Sequence, residues 1–185
     1  MYTTTILATL FAALPALGAP TTRSAPSTFS GLSLRSGSAI QYASIDANGT
    51  YFKLSSGSST YCPSGISGID CSTYASDVTR FAGGNNTLSL DTVVPGGQQV
   101  YVDRDGALRF TQPHSAAMDG GSAAEFSFTA DGSELQFDGA GFAACPYGTD
   151  DALHVYSTKH GVSEDCEGFN FFVVANPGAP AWEYN

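Results

Sequence analysis

The chain has 185 residues, of which 42% are hydrophobic, 12% aromatic and only 13% charged, about half the charged fraction of an average soluble domain. Seven Lys plus Arg oppose seventeen Asp plus Glu, giving a net charge of -10, so the chain lacks the basic surface that nucleic acid or an anionic membrane face would require. Ser, Thr and Gly number 22, 17 and 21, about a third of the chain, and with so many aromatics present this composition suits a loop-rich all-β domain and not a disordered tail.

The first element in chain order is an apolar run over residues 6–17 (ILATLFAALPAL). At about a dozen residues it is too short to span a bilayer and reads as a secretory signal peptide. Small residues at Ala16 and Gly18 place the expected cleavage after Gly18. Residues 19–30 (APTTRSAPSTFS) read as a Pro/Ser/Thr linker, and residues 31–185 as one β domain.

From residue 31 onward short alternating segments are broken by Gly, Asn-Gly or Asp-Gly, with no sustained 3.6-residue period. Residues 44–54 predict a hairpin around Asn48-Gly49, and residues 80–90 another around Gly83-Gly84-Asn85. Residues 99–111 (QVYVDRDGALRFT) predict a third, with Val100 and Val102 facing Leu108 and Phe110 across an Asp105-Gly106 turn. Residues 126–137 repeat the plan around Asp131-Gly132. Residues 153–157 and 168–175 add two late strands. About ten to twelve short strands at this spacing predict a single antiparallel β-sandwich or closed β-barrel.

Export sets how the four cysteines are read. An oxidising compartment makes disulfides the default for Cys62, Cys71, Cys145 and Cys166. Of the three possible pairings, Cys62 with Cys71 and Cys145 with Cys166 is favoured because each closes a short loop poor in secondary-structure signals. Two sequons, Asn48-Gly49-Thr50 and Asn85-Asn86-Thr87, fall at predicted turns and mark Asn48 and Asn85 as N-glycosylation sites.

A search for catalysis finds no G-x-S-x-G elbow, no H-E-x-x-H and no phosphate loop. His154 and His160 with Asp150 and Asp151 form at most a weak metal constellation, better read as surface groups around a turn, and His114 reads as a solvated loop residue. Asp103, Asp105, Glu125 and Glu134 are the candidate carboxylates for glycoside hydrolysis, but two of them belong to a turn that needs Asp for its backbone shape. Asp46-Ala47-Asn48-Gly49 and Asp103-Arg104-Asp105-Gly106 resemble the start of a calcium loop without its flanking helices or closing Glu. The expectation is therefore no catalytic residue, no metal and no cofactor. Tyr42, Tyr51, Tyr61, Tyr74, Tyr147, Tyr156, Trp182 and Tyr184 either suit half-buried strands or offer a different chemistry, the stacking of sugar rings on exposed aromatics, with a polysaccharide such as glucan or chitin as the expected partner.

Several strings are more specific. Residues 36–42 (SGSAIQY), Val100-Tyr101-Val102-Asp103-Arg104, Leu135-Gln136-Phe137-Asp138-Gly139 running to Ala144-Cys145-Pro146, and Cys166-Glu167-Gly168 together resemble the PhiA-type secreted cell-wall proteins of filamentous fungi. The resemblance extends from about residue 31 to about residue 175, and the chain departs from the pattern in placing Cys62 and Cys71 close together. It implies a secreted, wall-associated glycoprotein linked to phialide and conidium formation, without catalysis. Related secreted proteins of plant-associated fungi imply an alternative role as an elicitor of plant defence.

Overall fold

The computed structural model describes residues 24–185. The expected signal peptide, its cleavage point after Gly18 and the start of the expected linker lie outside the described residues. The strands, in chain order, are β1 (Thr28–Leu34), β2 (Ile45–Asn48), β3 (Tyr51–Leu54), β4 (Thr60–Tyr61), β5 (Phe81–Asn85), β6 (Thr87–Leu90), β7 (Gln98–Val102), β8 (Leu108–Phe110), β9 (Phe126–Phe128), β10 (Glu134–Phe137), β11 (Phe142–Tyr147), β12 (Asp150–Ser157), β13 (Glu167–Ala175) and β14 (Glu183–Tyr184). Single 3-10 turns occur at Cys71–Thr73 and Thr158–His160.

Nine strands form a closed antiparallel barrel in the order β1-β5-β6-β7-β8-β3-β12-β11-β13, with β13 returning to β1. Closure satisfies the backbone groups that an open sheet would leave at its edges. β13 is the longest strand and serves three partners: β1 on one side, β11 and then β10 on the other. The β9–β10 hairpin hangs from it, β2 pairs with β3, and β14 pairs with β4 in a separate two-stranded ribbon.

The interior is phenylalanine. Phe29, Phe52, Phe81, Phe110, Phe126, Phe137, Phe142, Phe169 and Phe171 are all buried, joined by Ile45, Leu88, Leu108 and Val155. Phe81 sits at the centre, with ring centroids 5.4 Å from Phe29, 5.2 Å from Phe52 and 5.6 Å from Phe171. A barrel of this strand number is just wide enough for side chains to fill it. One residue had to be small: a Cβ on Gly31 of β1 would run into the Phe171 ring. Tyr184 closes the core with its polar end satisfied, its hydroxyl donating to the Val78 carbonyl at 2.8 Å and accepting from the Arg80 N–H at 3.0 Å. The buried Gln98 amide joins the same network, accepting from the Tyr184 N–H and donating to its carbonyl.

Both Asp-Gly hairpins fold in the predicted register, Val100 opposite Phe110 and Val102 opposite Leu108, and Phe126 opposite Phe137. Gly106 supplies the left-handed backbone of the first, at φ 90. The 44–54 hairpin departs from expectation: Asn48 pairs with Tyr51, and the turn is Gly49-Thr50, both left-handed at φ 65 and 67. The turn moves one residue because Asn48 Nδ2 donates to the Gly57 carbonyl and the Asp46 carboxylate accepts from the Gly57 N–H, fixing β2 against the following loop. β1 also begins at Thr28, three residues inside the stretch read as linker. Its Ser and Thr are strand residues whose hydroxyls bond outward, Thr28 to the Asn176 carbonyl and Ser30 to the Thr79 carbonyl, while Phe29 points into the core.

Disulfides join Cys62 to Cys71 and Cys145 to Cys166. The first crosses a stretch that has no strand; the second ties β11 to the start of β13, beside the Ala144–Glu167 pair.

Candidate functional site

Inward apolar residues alternate with outward polar or aromatic ones along the barrel wall, and on four neighbouring strands, β8, β3, β12 and β11, the outward set converges. β3 turns Phe52 and Leu54 into the core and Tyr51 and Lys53 out; β8 buries Leu108 and Phe110 and leaves Arg109 outside; β12 turns Val155 inward and His154 to the outer side, where its neighbours bury it. The Arg109 guanidinium lies 4.3 Å from the Tyr51 ring centroid, Tyr51 is 4.9 Å from His154, and His154 stacks on Tyr147 at 4.6 Å and 24°. These contacts make a continuous ladder of flat groups on the outside of the barrel.

A bulge makes the polar half of the site. Cys145 pairs with His154 but Tyr147 pairs with Asp150, so β12 carries two more residues than β11 between the same two rungs. The extra length folds the Asp150 carboxylate back to its own strand neighbour four residues on. Its Oδ2 sits 2.9 Å from His154 Nε2 and 2.7 Å from Lys53 Nζ. Lys53, then His154 and the Ala152 N–H, hold this carboxyl well below the usual carboxylate range. An ionised carboxylate only accepts, so His154 Nε2 is the donor in this pair. Its buried Nδ1 has no hydrogen-bond partner among the described residues. Tyr51 Oη lies 3.3 Å from Tyr147 Oη; that contact, followed by burial, pushes the Tyr51 phenol up to about 12.

The ladder opens on a hollow of about 490 Å³ lined by Tyr51, Lys53, Tyr147, Asp150 and His154 with Gly49, Gly148 and Thr149. Two further hollows adjoin it at the β2–β3 turn. One of about 690 Å³ shares Gly49 and reaches His114 and Glu183; one of about 180 Å³ shares Thr50 with that second hollow and reaches Arg109 and Asp119. Burial raises the Glu183 carboxyl above its ordinary value.

The remaining predicted residues are dispersed. Asp103 accepts from the Asp105 and Ala107 N–H groups and shapes its turn; Glu134 accepts from Asn170, and Glu125 lies exposed ahead of β9. Asp46 bonds Ser44 and Gly57. His160 packs at Gly106, away from the Asp150–His154 pair, and Asp151 is exposed. Among the described residues no group of three or more His, Cys, Asp or Glu is arranged to hold a metal ion. The aromatics divide: Tyr184 is core, Tyr74 meets Trp182 edge-on, Tyr156 is half-buried, Tyr42 and Tyr61 stand apart, and only Tyr51 and Tyr147 join the ladder. Asn85 is exposed, whereas Asn48 is half-buried and bonded to Gly57. Arg109 and Lys53 were not singled out from the sequence. The alternation of Lys53 with Phe52 and Leu54, and of Arg109 with Leu108 and Phe110, marks them as outward-facing.

A closed, twice-bridged antiparallel barrel with a phenylalanine interior and a polar aromatic wall defines a secreted β-barrel protein built for an oxidising milieu. The profile of PhiA-like secreted proteins matches residues 29–185, and the chain belongs to that family. An uncharacterized secreted protein of Arthroderma benhamiae is 44% identical over 78 residues, 42% of this chain and 37% of that one, so the match spans little more than a third of that relative. The cell wall protein phiA of Aspergillus niger is 29% identical over 187 residues, covering 95% of this chain and 97% of its own. No solved structure matches the chain.

Proposed function

We propose that this protein is a non-catalytic resident of the fungal cell wall that supports phialide and conidium formation and the integrity of the wall. The observation that carries the reading is that the family match takes in the whole barrel, and that a relative aligned along nearly its full length is a cell wall protein. The arrangement of the acidic side chains supports a role without chemistry. Asp103 shapes a turn, Asp131 accepts from Thr129 and Ser133 and is held at about 2 by them, and Asp150 is committed to Lys53 and His154.

Deletion of the gene in the fungus that encodes it is expected to lower conidium yield, malform phialides and sensitise hyphae to wall-perturbing dyes. Wall fractionation of the wild type should recover the protein with the wall. Normal sporulation and stress tolerance in the deletion strain, with the protein found only in the medium, would overturn the proposal.

A further inference from the structure

The Tyr147 ring is 44% exposed, yet one face is backed by the stacked His154 ring and its hydroxyl lies against that of Tyr51. Few freely rotating side chains on a surface present a flat apolar face already immobilised, and immobilisation removes the ordering cost that binding would otherwise carry. Beside the ring stand a charged donor, Lys53, and a charged acceptor, Asp150, 2.7 Å apart. A flat apolar platform with paired charged hydrogen-bonding groups at its rim matches a pyranose ring, whose C–H face is apolar and whose equatorial rim is hydroxyl. The hollow beside Tyr147 and the hollow of about 690 Å³ both reach Gly49, and together they give a trough longer than one such ring needs.

Charge narrows the occupant. Lys53 and Arg109 are balanced by Asp150, Asp103 and Asp119, and the chain carries -10 overall, so an acidic polysaccharide gains nothing here. Apart from its aromatic rings, the hollow beside Tyr147 is lined by glycine, threonine and charged residues, with no Ala, Val, Leu, Ile or Met side chain. It therefore offers more partners to ring hydroxyls than to the methyl group of an acetamide. We propose that this trough binds a neutral β-linked glucan, one glucose ring stacked on Tyr147 and its vicinal hydroxyls held by Lys53 and Asp150. The proposal rests on residence in the wall for where the polymer is met, and on the geometry alone for the contact.

Calorimetric titration of the purified mature protein with laminarihexaose tests it, with chitohexaose as the contrasting arm. Tyr147→Ala is expected to weaken laminarihexaose binding about tenfold, the loss of one aromatic contact of about 1.4 kcal/mol. Tyr147→Phe, which keeps the ring, should bind within about twofold of wild type. Lys53→Met and Asp150→Asn should each weaken binding about fivefold. Tyr42→Ala and Tyr61→Ala remove tyrosines that are 68% and 51% exposed but lie off the ladder, and should change nothing. In proton NMR of the complex, the Tyr147 and His154 ring signals should shift first. No binding by the wild type, equal weakening by Tyr42→Ala, or tighter binding of chitohexaose would each overturn the assignment. These results are independent of sporulation in a deletion strain, so failure of the site and failure of the wall role are separable.

Discussion

On β3, Phe52 and Leu54 point inward while Tyr51 and Lys53, one residue away from each, point outward, and the two sets are held by different physics. Inside, Phe52 touches Phe81 and Phe110 in a dry cluster whose strength is the sum of many buried contacts. Outside, Tyr51 is placed by a cation over its face, a hydroxyl at its tip and an imidazole at its side. The inner set should carry stability and tolerate little change in volume. The outer set should carry recognition and tolerate deletion.

The largest effect expected from breaking this division is at the centre of the core. Phe81→Ala should cost about 4 kcal/mol and lower the urea midpoint sharply, because the cavity it leaves is walled by three other phenylalanines of a closed barrel. Next comes Asp91→Ala. Arg80 is buried, its Nη2 is 2.7 Å from the Asp91 carboxylate, and removing the partner strands a buried cation at a cost of about 3 kcal/mol. Asp91→Asn keeps one acceptor and should cost less in the same unfolding experiment. Alkaline titration sharpens the comparison. Tyr184, raised by burial, and Tyr51, raised first by Tyr147, both reach about 12 against an ordinary 10.0. The folded state therefore keeps protons that the unfolded chain gives up. Stability from these two phenols is complete below pH 10 and falls as pH rises from 10 to 12. Phenolate absorbance should show Tyr51→Phe and Tyr184→Phe each removing one late-titrating group. The smallest effect is expected at the outer set, where Tyr147→Ala should shift unfolding by less than about 0.5 kcal/mol. A loss comparable to that of Phe81→Ala would show that the ladder is part of the framework.

Much of the inner set was legible because hairpins write local rules. Asp105-Gly106 and Asp131-Gly132 fix both turn and register within a dozen residues, and the flanking Val, Leu and Phe declare which face is buried. The short disulfide loops follow similarly from proximity in sequence. The outer set was not legible, since Tyr51, Arg109, Tyr147 and His154 come from four strands whose adjacency is decided by closure of the whole barrel. Tyr184 misled as well: at residue level it resembles the exposed tyrosines, and only the hydrogen bonds with Arg80 and Val78 explain its burial. β1 starts at Thr28, ahead of the boundary expected at residue 31, because serine and threonine serve a strand as readily as a linker when one face is bonded and the other holds Phe29.

The two extra residues of β12 have a further meaning. They set the chemistry of the trough by spacing and not by side-chain identity, since in plain register Tyr147 would face Ala152 in place of Asp150. A protein with the same tyrosine, lysine, aspartate and histidine in the same order, but a shorter connection between Asp150 and His154, would keep the barrel and lose this pairing. Length in this one segment is therefore a variable through which a common barrel can acquire or discard a polar grip on its surface.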